Sequence, residues 1–250
     1  MSVQLYGRRV VVTGASSGIG KATARAIVDA GGRVALLARR GEILEEIASD
    51  LGASAAVAEA DVTDPTAVAG AVARAAEMLG GLDGLVNVAG LNRASRFQDS
   101  GPEDWREMLE TNIFGAFVAA QAVTPHLLSA GAGDIVNVGS VSSRGDASGY
   151  SSVYAATKSA LSTWSESLST ELEGQGVRVM LVLPGTVRTD LAQKTRDPEL
   201  RRVRARRFLE QGLAPVDVAN QVVHMLMQPR TVRVSEIVIR PVIAQPPKRP

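Results

Sequence analysis

The chain has 250 residues, 45% of them hydrophobic and 21% charged, and its 27 lysines and arginines balance 26 acids to a net charge of +1. That mix excludes a disordered chain, and so even a balance excludes a generic nucleic-acid binder. No cysteine and only two histidines, His126 and His224, exclude disulfides, thiol catalysis and cysteine- or histidine-rich metal sites, so no metal is expected.

Val10-Val11-Val12 is a short β-branched run, followed by the Gly-rich stretch Thr13–Gly20 and a helical segment Lys21–Ala30 that stops at Gly31-Gly32. Val34–Ala38 reads as the next strand, Glu42–Asp50 as a helix and Ala55–Ala58 as a weaker strand. Asp64-Pro65 is an N-cap with proline at the first helical position, opening a helix that ends at Gly80-Gly81. Leu85–Val88 is a strand, and Pro102–Ser129 reads as one long helix with Trp105, Leu109, Ile113, Phe117 and Ala120 at helical spacing. Then come strand Ile135–Val138, helix Tyr154–Glu173, strand Val177–Leu183, helix Pro215–Met227 and strand Glu236–Ile239. Residues 245–250 read as a surface tail. No apolar run approaches the ~20 residues of a membrane span, and Met1–Arg9 has no signal-peptide character, so a cytoplasmic protein without a membrane partner is expected.

Short apolar runs bounded by turns are what strands buried on both faces look like, and their alternation with long helices predicts βαβ units. The expected fold is α/β: a single doubly wound Rossmann-type domain over 1–250, with a seven-stranded parallel sheet and helices on both faces.

Thr13–Gly20 follows the first strand and opens the first helix. Gly14, Gly18 and Gly20 let the backbone turn tightly and approach a pyrophosphate, while Ser16, Ser17 and Ile19 lie where the helix N-terminus offers free N–H groups to phosphate. An NAD site usually carries an acid at the end of the second strand to hold the ribose 2′-hydroxyl. Here Ala38 is followed by Arg39 and Arg40, with no acid before Glu42. Arg39 offers a fork of donors suited to a 2′-phosphate, so NADP(H) is expected over NAD(H).

Tyr154 and Lys158 stand four residues apart, on one face of a helix. A neighbouring ammonium is expected to lower the phenol's pKa and permit proton transfer near neutrality. Ser140 ends the strand Ile135–Val138, where ligands sit in open α/β sheets, and its hydroxyl suits a substrate carbonyl. With no histidine nearby in the sequence, a hydrolytic nucleophile is not expected.

Taken together these residues resemble the short-chain dehydrogenase/reductases. The resemblance spans nearly the whole chain through Thr13–Gly20, Asp61-Val62, Asn87-Val-Ala-Gly90, Asn112, Ser140, Tyr154/Lys158 and Pro184-Gly185. It implies Tyr154 as general acid in carbonyl reduction and base in alcohol oxidation, with Lys158 lowering its pKa and binding the nicotinamide ribose. Ser140 would orient the substrate oxygen, and Asn112 would hold a water that links Lys158 to a proton relay. Asp61 and Val62 would touch the adenine, and Asn87, Ala89 and Gly90 the neighbouring ribose and backbone. Pro184, Gly185, Val187 and Thr189 would embrace the nicotinamide. Val88 stands where the family usually has a second asparagine, and Ser142 and Ser143 are alternatives to Ser140, which is chosen for its register directly after the strand. The family also implies a homotetramer, or a homodimer, through its two long helices.

Specificity should lie in Val141–Tyr150 and in the segment after Thr189. Asp190–Gly212 carries seven lysines and arginines against four acids, which reads either as an anion-attracting lid or as a solvated helix. The stretches Pro215–Ala219 and Glu236–Pro241 resemble NADP-dependent 3-hydroxy acid dehydrogenases and related carbonyl reductases. The expected activity is NADPH-dependent reduction of a small polar or natural-product-like carbonyl to an alcohol, or the reverse. The alternatives are a non-catalytic NADP(H) sensor and an epimerase or dehydratase.

Overall fold

Val10, Val11 and Val12 point alternately to the two sides of a sheet: Val11 joins one apolar layer, Val10 and Val12 the other. The computed structural model describes residues 5–145 and 149–242. Its seven strands are β1 (Arg9–Thr13), β2 (Arg33–Ala38), β3 (Ala55–Glu59), β4 (Gly84–Asn87), β5 (Gly133–Val138), β6 (Val177–Pro184) and β7 (Glu236–Ile239). They lie in the order β3-β2-β1-β4-β5-β6-β7, with every neighbouring pair parallel. In register, Val11 sits between Ala35 and Leu85.

Both sheet faces are covered. Helices α1 (Gly18–Asp29), α2 (Gly41–Leu51) and α8 (Pro215–Leu226) pack Ile27, Leu44, Ile47 and Val222 against Val10, Val12, Leu36 and Val182. On the other face, α3 (Pro65–Leu79), α5 (Gly115–Ser129) and α6 (Ser152–Glu171) pack Val68, Val72, Val123 and Trp164 against Val11, Leu37, Leu85 and Ile135. The expected doubly wound α/β fold is what forms. The Asp64 carboxylate caps α3 by accepting from Thr66 N and Ala67 N, each at 3.0 Å. The order in which strands join the sheet reverses between β1 and β4, which opens a crevice at the carboxyl ends of the strands.

Two segments depart from the sequence reading. The helix expected over Pro102–Ser129 is α4 (Pro102–Leu109), a π-helical turn over Glu110–Phe114, and then α5. The widened turn carries Asn112 inward, where its amide clamps the backbone of Leu91. After β6, the chain makes an excursion through a 3-10 turn (Asp190–Lys194) and α7 (Pro198–Gln211), which buries none of its residues. The two ends of the excursion are tied together, Arg188 N to Leu213 O and Leu213 N to Thr186 O, both at 2.9 Å. The tail expected at 245–250 lies outside the described residues.

At the opposite, amino end of the sheet the fully buried Asp134 receives three guanidinium groups. Arg178 from β6 binds it through both carboxylate oxygens (2.7 and 3.1 Å), Arg230 at 2.9 Å, and Arg8 completes the set. Among the described residues no helix is long and apolar enough to cross a membrane.

Candidate active site

β1 delivers Thr13 to the carboxyl edge of the sheet, where its Oγ1 accepts from Val88 N and Ala89 N at 3.0 and 3.1 Å. This pins the loop after β4 against the glycine-rich turn. Gly14 takes φ +65°, and a Cβ there would press on the Ala89 backbone at 3.0 Å. Gly18 (φ +52°) opens α1, and its missing Cβ leaves room beside Thr189, whose Cγ2 would lie 3.0 Å away. Such small residues at a helix N-terminus keep the backbone open to a phosphate group.

The cleft above the sheet measures about 830 Å³. Of the residues singled out in sequence, Gly14, Ser16, Ser17, Gly18, Ile19, Arg39, Arg40, Asp61, Val62, Ala89 and Gly90 line it from the β1–β4 side. Ser140, Tyr154, Lys158, Pro184, Gly185, Val187 and Thr189 line it from the β5–β6 side. Gly20, Asn87 and Asn112 stand behind the wall. A Cβ on Gly20 would run into the Gly14 carbonyl, so this glycine sets how closely α1 packs. Asn87 Nδ2 donates to Asn137 Oδ1 at 2.9 Å, and Asn137 passes the chain on to Ser165 Oγ at 2.8 Å.

At the end of β2, Ala38 presents no charge. Arg40 lies across the glycine loop and bonds Ser16 Oγ at 2.8 and 3.2 Å, while Arg39 approaches Asp61 at 3.5 Å with a largely exposed side chain. Burial alone would raise the Asp61 pKa, but hydrogen bonds from Thr63 and the nearby Arg39 outweigh it and hold the carboxyl below its ordinary value.

Tyr154 rests in a small apolar seat with Leu91 and Met108, flanked by Trp105 and Val153. Its phenol lies beside the Ser140 side chain on the cleft wall. Ser140 Oγ also accepts from Ser142 N at 3.1 Å, whereas Ser143 Oγ turns back to the Ser140 carbonyl at 2.7 Å. Lys158 Nζ donates to Val138 O at 2.9 Å and lies 5.9 Å from the centre of the Tyr154 ring. Asn112 Nδ2 donates to Leu91 O and to Thr157 Oγ1, both at 3.0 Å, and Thr157 in turn bonds Tyr154 O at 2.7 Å.

The charges differ from the expectation of a phenol lowered by lysine. Burial pushes the Tyr154 phenol above its ordinary value, opposed by the Ser140 hydrogen bond and by the charge of Arg204. Burial likewise pushes the Lys158 ammonium down to about 8. Desolvation dominates at both groups, and the cation that lowers the phenol is Arg204.

Residues 8–200 match the profile of the short chain dehydrogenases. The chain belongs to the short-chain dehydrogenase/reductase family. It is 34% identical over 240 residues to an uncharacterized oxidoreductase of Staphylococcus haemolyticus, covering 96% of this chain and 99% of that one. A short chain dehydrogenase from Burkholderia cenocepacia, solved with NADP, superposes with TM-score 0.82 at 34% identity over 95% of this chain and 98% of the other. The closed form of a serine dehydrogenase complexed with NADP+ superposes with TM-score 0.87 at 29% identity over 97% and 98% of the two chains. The protein is therefore an oxidoreductase of this family.

In this short-chain dehydrogenase, several cleft residues escaped the sequence reading. Ser151, Asn92 and Arg204 line the cleft beside Tyr154, with Asn92 Nδ2 3.3 Å from Ser151 Oγ. Ser151 lies one helical turn before Tyr154, a spacing that could have marked it. Arg204 stood in the basic segment with nothing local to distinguish it from its neighbours. Thr13 carries no sequence signal beyond opening the glycine motif, because its partners Val88 and Ala89 lie 75 and 76 residues away.

Proposed function

We propose that the protein is an NADP(H)-dependent carbonyl reductase, running as an alcohol dehydrogenase in reverse. The observation that carries the reading is Ser140 standing beside the Tyr154 phenol in a cleft whose far wall is the glycine-rich turn, with Lys158 one helical turn beyond the phenol. The dinucleotide, when bound, supplies or accepts the hydride and in its oxidised form brings a positive charge beside the phenol.

Ser140 and Tyr154 hold the substrate oxygen between their hydroxyls. Tyr154 gives it a proton as the carbon is reduced, and takes one when an alcohol is oxidised. A phenol raised by burial is protonated at rest. Lys158, in hydrogen-bond reach of the cleft, anchors the ribose. Asn112 fixes the Leu91 backbone and Thr157, and so fixes the start of the helix turn that carries Tyr154. Arg39 and Arg40 flank the place of a 2′-phosphate, with no carboxylate on Ala38 to repel it. The NADP named in the Burkholderia cenocepacia and serine dehydrogenase structures supports that choice.

Exposed Leu109, Phe114 and Phe117 on α4, the π-turn and α5 support association into a tetramer or a dimer through these helices.

The test is kinetic. Tyr154→Phe should lower kcat for NADPH-linked reduction of an aldehyde and ketone panel by roughly 10²-fold or more, the usual worth of a general acid. Rates untouched by that change would overturn the reading. Arg39→Asp should cut the preference for NADPH over NADH by about 10- to 100-fold, the worth of a charge-assisted hydrogen bond. An unchanged preference would assign the phosphate elsewhere.

A further inference from the structure

Of the guanidinium groups that line the cleft, Arg39 and Arg93 are paired with an acid among the described residues, Arg39 with Asp61 at 3.5 Å. Arg93 meets Glu107 at 2.7 Å through two parallel bonds, and outside the lining Arg196 meets Asp104 at 2.6 Å and Arg206 meets Glu210 at 2.8 Å. Arg204 differs. It lines the cleft from α7, is half-buried, and among the described residues makes no ion pair. Its contacts are neutral: Nη1 lies 3.5 Å from Ser151 Oγ, and its guanidinium carbon lies 5.6 Å from the centre of the Phe208 ring. Burial lowers its pKa and the like charge of Arg207 adds to that, while Tyr154 is near enough to feel its field.

A cation withdrawn from water without a counter-charge is unfavourable in the free protein. It becomes favourable when a ligand brings the anion, because a dehydrated guanidinium then makes two parallel charge-assisted bonds at little further desolvation. Ser151 is the N-cap of α6, three residues before Tyr154, so Arg204 reaches the start of the phenol-bearing turn and the two side chains feel each other's charge. A substrate whose oxygen is held by Ser140 and Tyr154 can therefore reach Arg204 with a group only a few bonds away.

We propose that Arg204 binds a carboxylate of the substrate, so that the compound reduced at Tyr154 is a short oxo acid and the compound oxidised is a hydroxy acid. The proposal rests on the reading of Tyr154 as the proton donor. It makes Arg204 a specificity-determining residue and gives the cationic excursion after Thr189 a function at one position rather than through its overall charge.

The experiment compares each of two oxo acids, acetoacetate and 4-oxopentanoate, with its own methyl ester, using NADPH as reductant. At least one acid should exceed its ester in kcat/KM by about 10- to 100-fold, the range of a hydrogen-bonded charge pair. Arg204→Met should remove most of that ratio and Arg204→Lys should keep part of it. Because α7 buries none of its residues, these changes leave the fold intact. Acids no better than esters, a ratio left whole in Arg204→Met, or an equal loss in Arg207→Met would each overturn the assignment. If neither acid nor ester is reduced, the carboxylate site is decided separately by calorimetry of 4-oxopentanoate on the NADP+-loaded protein. Binding weakened about 10-fold or more by Arg204→Met upholds the site. Binding equal in the two proteins, or absent from both, removes it.

Discussion

Lys158 sits in a buried position with its ammonium on the Val138 carbonyl and, among the described residues, no acid in ion-pair contact. Its folded pKa of about 8 lies below the ordinary 10.5. Between those two values the unfolded chain keeps a proton that the folded chain has shed, so stability rises with pH across that window. At pH 7 both states are charged, and holding the cation inside costs on the order of 3 kcal/mol. Lys158→Met removes that cost along with the cation's hydrogen bond to Val138. The difference in Tm between variant and parent should therefore move against the variant as pH rises from 7 to about 10.5, measured by thermal melts in matched buffers. A difference that stays flat across the window would mean the lysine is solvated in the folded protein. The same residue shows how a site can be legible while its electrostatics are not. Tyr154 and Lys158 could be paired from their spacing alone, because four residues on a helix is a local fact. The depth at which they sit depends on Leu91, Met108 and Val138, contributed by segments far away in the chain.

Among the elements, β5 does two jobs at its two ends. Its carboxyl end presents Ser140 to the cleft, and its amino end holds Asp134 beneath three arginines from three different parts of the chain. Those arginines tie β5 to β6, to the start of β1 and to the turn before β7, where Arg178 Nη1 also bonds the carbonyls of Gln228 and Pro229 at 3.1 and 3.0 Å. Replacing the carboxylate by Asp134→Asn leaves buried guanidinium groups without a counter-charge, a loss of about 3–5 kcal/mol. Chemical denaturation should show that loss while kcat of the surviving folded protein stays close to the parent's, since Ser140 lies at the far end of the strand. A stability within about 0.5 kcal/mol of the parent would place Asp134 among surface charges. Nothing in the sequence singled out Asp134, because its partners come from outside its own strand. The π-turn at Glu110–Phe114 was equally invisible: the apolar spacing of 102–129 runs smoothly through it, and only the need of Asn112 to reach Leu91 exposes the extra residue.

For the whole molecule, the alternation of short apolar runs with amphipathic helices carried the architecture, since two-sided burial of each strand repeats along the chain as a local pattern. Asp64-Pro65 marked the start of α3, and the glycines of Thr13–Gly20 marked the turn into α1, through backbone rules that need no distant partner. The outer faces of α4 and α5 follow a different logic. Leu109, Phe114 and Phe117 are half-exposed, Phe114 at 45%, and they bracket Asn112 in a stretch where a monomer would carry polar residues. Phe117 is already partnered by Trp164 of α6, ring centres 4.6 Å apart, which joins the aromatic face of α5 to α6. Burying that surface against a second copy would hold the π-turn rigid from outside while Leu91 holds it from within. Light scattering should accordingly give a tetramer or a dimer, and Phe114→Glu should shift it to a smaller species. That variant should also lose part of its kcat at concentrations where the assembly has come apart, because the Asn112 turn is then supported on one side only. A parent protein that scatters as a monomer while fully active would separate the two, and the exposed aromatic face would then have no part in shaping the site.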